Sequence, residues 1–70
     1  MSKILIFIPC YNVEKKIEKV FHKIPSKVMK NDKIKFLFID DNSKDNTLKI
    51  IKKIKKNYKK KIYILSNSKN

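Results

Sequence analysis

Two apolar runs, Ile4-Leu5-Ile6-Phe7-Ile8 and Phe36-Leu37-Phe38-Ile39, each stop at a short polar segment. Continuous apolar runs rich in β-branched and aromatic residues read as strands buried on both faces. The first run stops at Pro9-Cys10-Tyr11-Asn12, and Pro9 is expected to close it, because proline has no N–H for a central ladder. The second stops at Asp40-Asp41-Asn42-Ser43-Lys44-Asp45-Asn46-Thr47. After each polar segment the apolar period becomes helical. Val13, Ile17, Val20, Phe21 and Ile24 form the first stripe, with Asn12 as its N-cap and Pro25 just past its end. Leu48, Ile51, Ile54 and Tyr58 form the second, capped by Asp45 or Asn46. Ser26 to Lys33 reads as a polar connector, and Ile62 to Leu65 as a third strand.

The order β-α-β-α-β predicts an α/β fold with a parallel sheet and right-handed crossovers. Seventy residues allow one small domain. Strands laid down in the order 1, 2, 3 put both helices on one face of the sheet. The other face then shows leucine, isoleucine and phenylalanine to water, a patch that soluble monomers seldom carry. The remainder of a larger domain, or a partner, is expected to cover it.

The formal net charge is +13, and all 19 basic residues are lysine. Such a chain attracts nucleic acid and anionic membrane at low salt, so a small basic module binding either is the alternative reading. The lysines, however, fill the polar sides of both helix patterns, as a solvated face does. Without arginine, bidentate readout of guanine is disfavoured, and no specific nucleic acid is expected. The absence of glycine excludes a dinucleotide-binding turn. A phosphoacceptor receiver domain is also disfavoured, because its acids belong after the first and third strands. A single cysteine, Cys10, forms no internal disulfide, and no stretch approaches the roughly 20 apolar residues of a membrane span. These point to a cytoplasmic location, with peripheral contact at the inner face of the membrane.

Parallel sheets bind ligands outside the carboxyl ends of their strands. Tyr11 and the Asp40–Asp41 pair would lie there, and they suit a nucleotide: a ring to stack on the base and a carboxylate to accept an N–H. Asp45 reads more simply as a helix cap. Cys10 reads as a buried filler and His22 as a solvated helix residue. Adjacent side chains leaving a strand diverge, so Asp40 and Asp41 are not expected to chelate a metal.

At these residues the chain resembles the family-2 glycosyltransferases. That family opens with an apolar strand and Pro-x-Tyr-Asn, here Pro9-Cys10-Tyr11-Asn12. After a helix and a second strand comes Asp-Asp-x-Ser-x-Asp-x-Thr, here Asp40, Asp41, Ser43, Asp45 and Thr47. The resemblance implies the Rossmann-like GT-A fold of the nucleotide-diphospho-sugar transferases. It implies a hexosyltransferase-like enzyme in cell-wall or glycan biosynthesis, moving a sugar to a lipid-phosphate or glycan acceptor. It assigns Tyr11 to stacking on the base, Asp41 to a base N–H, Pro9 to the loop and its carbonyl, and Ile39 to the wall of the base pocket. Asp40 and Glu14 are further candidates; many relatives place an acid at the position of Val13, where some use it on the ribose. Residues 1–70 are expected to be the N-terminal nucleotide-binding part of such a domain. The family's divalent metal (Mg or Mn), its Asp-x-Asp ligands and its catalytic base are expected beyond Asn70, so these residues alone should bind no metal and be inactive. Ser66 to Asn70 is similar to the start of the family's Asn-x-Gly loop. Lys23-Ile24-Pro25 is similar to the polyprenyl-phosphate sugar transferases.

Overall fold

The computed structural model describes residues 3–67. Strand β1 (Ile4–Cys10) leads through a turn into helix α1 (Ile17–His22). A short helix α2 (Ser26–Lys30) precedes β2 (Ile34–Asp40), and α3 (Thr47–Asn57) precedes β3 (Ile62–Ser66). The three strands form one parallel sheet in the order β1-β2-β3, as the alternation of elements predicts. The helix in the expected polar connector is explained by Pro25, whose fixed φ suits the position before a first turn. Val28 and Met29 of α2 then lean on the core.

Side chains on a strand alternate between faces. The face carrying Phe36, Phe38 and Ile62 is buried against Ile17 and Phe21 of α1 and Ile51 and Ile54 of α3. Phe21 is the hinge of this layer, with its ring 5.1 Å from Tyr58 and 6.1 Å from Phe38. The opposite face is bare, as the one-sided helix arrangement requires. Phe7 is 61% exposed, and Tyr63 and Leu65 are each 53% exposed.

Two expectations about β1 change. It is an edge strand, so Ile4 to Phe7 are exposed rather than buried on both faces. For the same reason Pro9 does not end it. Pairing continues through Pro9↔Ile39 to Cys10↔Asp40, because an edge strand tolerates a residue with no N–H to offer on its free side. Lys61 is a further surprise of composition. It is buried, and its ammonium donates to the carbonyls of Val28 at 2.7 Å and Asn31 at 2.6 Å, closing the end of α2. Burial and the nearby Lys35 charge pull its pKa below the usual lysine value, against the opposing pull of Asp32.

Candidate functional site

The ladder β1–β2 ends at Cys10↔Asp40, and Tyr11 and Asp41 stand one step beyond it. The main-chain N–H of Asp41 donates to the Cys10 carbonyl at 3.1 Å, which holds the two loops side by side at their roots. Pro9 and Ile39 are paired just below, and Ile39 pairs in turn with Leu65 of β3. Pro9, Tyr11, Ile39 and Asp41 are therefore brought together at the carboxyl end of the sheet, where strand alternation places Pro9, Ile39 and Leu65 on its bare face. Leu65 was not singled out in the sequence; its alternation with Ile64 is the signal that could have found it.

Tyr11 is 58% exposed, so its ring is free to meet a ligand. It borders a depression of about 520 Å³ lined also by Val13, Lys15 and Lys16. Asp40 and Asp41 diverge as expected. Asp40 is buried on the helix side, and its carboxylate accepts the N–H of Ser43 at 3.4 Å. Asp41 is exposed, and its Oδ1 accepts from the Asn67 side chain at 3.2 Å. Asn67 also donates its main-chain N–H to the Asp40 carbonyl at 2.8 Å, so the end of β3 braces both acids. The rest of the segment from Ser66 to Asn70, Ser68 onward, lies outside the described residues.

Both Tyr11 and Asp41 are followed by an asparagine in the left-handed region, Asn12 at φ 51° and Asn42 at φ 55°. That region costs a residue with a Cβ roughly 1–2 kcal/mol, least for asparagine and aspartate. A lattice between the loops holds it. Three successive N–H groups of the first loop are each accepted by a side-chain oxygen of the second. Asn12 donates to Ser43 Oγ at 3.0 Å, Val13 to Thr47 Oγ1 at 2.9 Å and Glu14 to Asp45 Oδ2 at 3.1 Å. In return Lys44 donates its N–H to Asn12 Oδ1 at 2.8 Å. Asn46 donates its N–H and its side-chain amide to the two oxygens of Glu14, at 3.3 and 3.2 Å.

This lattice explains the Ser-x-Asp-x-Thr spacing physically. The Val13 carbonyl accepts the N–H groups of Lys16 and Ile17, so a helical turn begins there, ahead of α1. The first N–H groups of a helical segment lack partners within it. Residues 43, 45 and 47 supply those partners from the other loop. Asn12 therefore does not cap its own helix, as expected from sequence; its side chain serves Lys44 instead. Asn46 holds the N-cap position of α3 without a side-chain capping bond; Asp45, one residue earlier, serves the helix start instead by accepting the Thr47 N–H at 3.0 Å and the Thr47 hydroxyl. Burial would raise the Asp45 carboxyl, but these bonds, with those from the Glu14 N–H and its own N–H, outweigh it and hold the pKa below the ordinary carboxylate value. Ser43 and Thr47 are thus structural partners that the motif spacing contained but an isolated reading of each residue missed.

Cys10 is buried, and burial with the neighbouring Asp40 charge pushes its thiol up to about 11. Such a thiol is protonated at neutral pH and a poor nucleophile. Among the described residues no group of three His, Cys, Asp or Glu side chains could hold a metal ion, and the diverging Asp40 and Asp41 do not fit a divalent cation between them. No helix of the described residues is long and apolar enough to cross a membrane.

Residues 5–70 match the family model described as glycosyl transferase family 2. The chain is similar to an uncharacterized protein of Methanocaldococcus jannaschii, 36% identical over 66 residues, covering 94% of this chain and 27% of that protein. It is also similar to an uncharacterized glycosyltransferase of Mycoplasma genitalium, 44% identical over 52 residues, covering 74% of this chain and 18% of that protein. The chain thus spans under a third of the length of these curated relatives. No solved structure matches it.

Proposed function

The chain belongs to glycosyl transferase family 2, and we propose that its two loops hold the nucleotide of a nucleotide-diphospho-sugar donor. The observation that carries this reading is the pairing of an exposed Tyr11 ring with an exposed Asp41 carboxylate, one step past the same rung of a parallel ladder. Tyr11 stacks on the base. Asp41 accepts a base N–H, with its carboxylate preset by Asn67. Pro9 and Ile39 form the apolar floor beside them. Asp40, buried behind the loop, orients the turn through the Ser43 N–H.

The activity that follows is transfer of a sugar to a lipid-phosphate or glycan acceptor, in cell-wall or glycan biosynthesis. Lys23-Ile24-Pro25 favours a polyprenyl-phosphate acceptor, and a lipid acceptor favours work on the cytoplasmic side of a membrane. In this reading residues 1–70 are the nucleotide-binding part of the domain. Among the described residues none is assigned to a divalent metal or to deprotonating the acceptor, so no step of the transfer is placed on them.

Nuclear magnetic resonance on the 70-residue chain tests the reading. Uridine, guanosine, cytidine and adenosine diphosphates are titrated against inorganic pyrophosphate. Shifts at Tyr11, Asp41 and Asn67 with one nucleoside diphosphate, and none with pyrophosphate, support it. Equal responses to all the phosphates, centred on the lysines of α3, would overturn it.

A further inference from the structure

Glu14 is a candidate of the nucleotide site and lines the same depression as Tyr11, yet its side chain is turned to the opposite loop, where it accepts two hydrogen bonds. Its Oε1 accepts the Asn46 main-chain N–H at 3.3 Å and its Oε2 the Asn46 side-chain amide at 3.2 Å. Its own N–H donates to Asp45 Oδ2 at 3.1 Å. These three bonds close a ring between Glu14 and the Asp45–Asn46 pair, 31 and 32 positions away in sequence, beyond the residues that would hold the base.

We propose that Glu14 is a positioning residue, which sets the separation of Tyr11 and Asp41 by clamping Asn46. The inference rests on the donor reading and deepens it. Family resemblance places an acid for the ribose one residue earlier, at Val13, with Glu14 as its candidate substitute, but both Glu14 carboxylate oxygens are already aimed at donors of the opposite loop. Only a group that is acceptor at both oxygens fits two N–H groups side by side. A glutamine would turn its own NH₂ toward one of them. An aspartate is one methylene too short to reach.

The geometry explains why this clamp reaches the base site. Between Tyr11 and Glu14 lies the left-handed Asn12, and between Asp41 and Asn46 lies the left-handed Asn42. Each loop thus turns sharply just after its ligand-facing residue and is pinned a few residues later. The inner tie, Asn12 with Ser43 and Lys44, uses neutral groups. The outer tie, the Glu14 carboxylate with Asn46 and the Asp45 carboxylate with the Glu14 N–H, uses two carboxylates, and hydrogen bonds to ionised acceptors are the stronger kind. Opening the outer tie leaves the root bond and the inner ties of Asn12 and Val13 in place but without outside support, so the turns that carry Tyr11 and Asp41 loosen rather than part.

The experiment uses the unaltered chain, Glu14→Gln, Asn46→Ala, the double variant, and Glu18→Gln as an exposed acid on α1 outside the ring. Exchange of the Asn46 amide protons with water is measured without ligand. Affinity is then measured for the best-binding nucleoside diphosphate of the four and for its 2′-deoxy analogue. Faster Asn46 exchange and about a five- to tenfold loss of affinity for both nucleotides are expected in Glu14→Gln. The double variant should lose little more than the worse single variant, and Glu18→Gln should match the unaltered chain. If Glu14→Gln weakened only the ribonucleotide and left its 2′-deoxy analogue unaffected, Glu14 would be a ribose ligand and the proposal would be overturned. Unchanged Asn46 exchange would overturn it too, whatever the affinities. Failure of the unaltered chain to bind any nucleoside diphosphate would instead overturn the donor reading, and the role assigned to the clamp with it.

Discussion

The Val13 N–H donates to the Thr47 hydroxyl at 2.9 Å, tying the first turn after β1 to the first residue of α3 across 34 positions of chain. Thr47 is fully buried, and its hydroxyl also donates to Asp45. One side chain therefore answers an N–H at the start of one helical segment and a carboxylate that serves the start of another. Without it a buried donor is left unpaired, which costs the desolvation of that group rather than merely the bond.

Thr47→Val keeps the shape and removes the hydroxyl. It should destabilise the chain by about 1–3 kcal/mol, the usual range for an orphaned buried donor. In a domain of this size that lowers the melting temperature by roughly 4–8 °C per kcal/mol. Thr47→Ser, which keeps the hydroxyl, should recover most of the loss. Urea unfolding of the three proteins checks this; a stable valine variant beside an unstable serine variant would show that packing of the methyl matters and the hydroxyl does not.

Asp45 gives the lattice an acid limit. Its folded pKa lies below the ordinary carboxylate value, because the bonds from Thr47 and Glu14 favour the charged form more than burial disfavours it. A depressed acid contributes stability that is fully present above its unfolded pKa and is lost as pH falls through the folded one. The loops should thus hold down to about pH 4 and loosen only below it. The amide signals of Glu14 and Thr47, followed from pH 6 to pH 2, should move together in that lower window. In Asp45→Asn the shared transition should vanish; its persistence would assign it to another carboxyl.

Much of this was legible in the chain, and for identifiable reasons. Apolar runs and the change of period gave the strands, helices α1 and α3 and the bare sheet face, since Phe7, Leu37 and Tyr63 alternate with residues that meet the helices, but not the short α2. Burial of β1 was misjudged because the apolar content of Ile4 to Ile8 says nothing about which strand lies at the edge. That depends on the order of crossovers, and once β1 is an edge, Pro9 stays within it. The separation of Asp40 from Asp41 followed from strand alternation. The lattice was not legible, because hydrogen bonds between residues more than 30 apart depend on two loops meeting at the same end of a sheet. Asp45 looked like an ordinary cap, and Ser43 and Thr47 were only positions of a motif, until the N–H groups of Asn12, Val13 and Glu14 were placed opposite them.

Tyr11 separates binding from folding. Its ring is exposed and is not part of the buried core. Tyr11→Ala should therefore change stability by no more than about 0.5 kcal/mol, as exposed substitutions do. Nucleotide affinity should fall by about 1–3 kcal/mol, the range for a lost base–aromatic stack. Tyr11→Phe should bind nearly as well as the parent. Titration calorimetry beside thermal melting distinguishes the outcomes, and an alanine variant with parental affinity would remove Tyr11 from the site.

Asp41 should control which base is preferred more than how tightly the diphosphate is held. The exposed carboxylate uses Oδ1 for the Asn67 side chain, which leaves Oδ2 as an acceptor beside the base. A hydrogen bond to a charged acceptor contributes about 1.5–3 kcal/mol. Asp41→Ala should thus lower affinity for the preferred nucleoside diphosphate about ten- to a hundredfold. Affinity for disfavoured bases should barely change, so that the four nucleotides become nearly equal. Because Asp41 is exposed, the fold should remain. Asn67→Ala should act in the same direction and more weakly, since the carboxylate stays but loses its brace. Competition titrations with the four nucleoside diphosphates measure all of this. A uniform loss across the bases in Asp41→Ala would place its role at the ribose or the phosphates, and the base assignment would have to be given up.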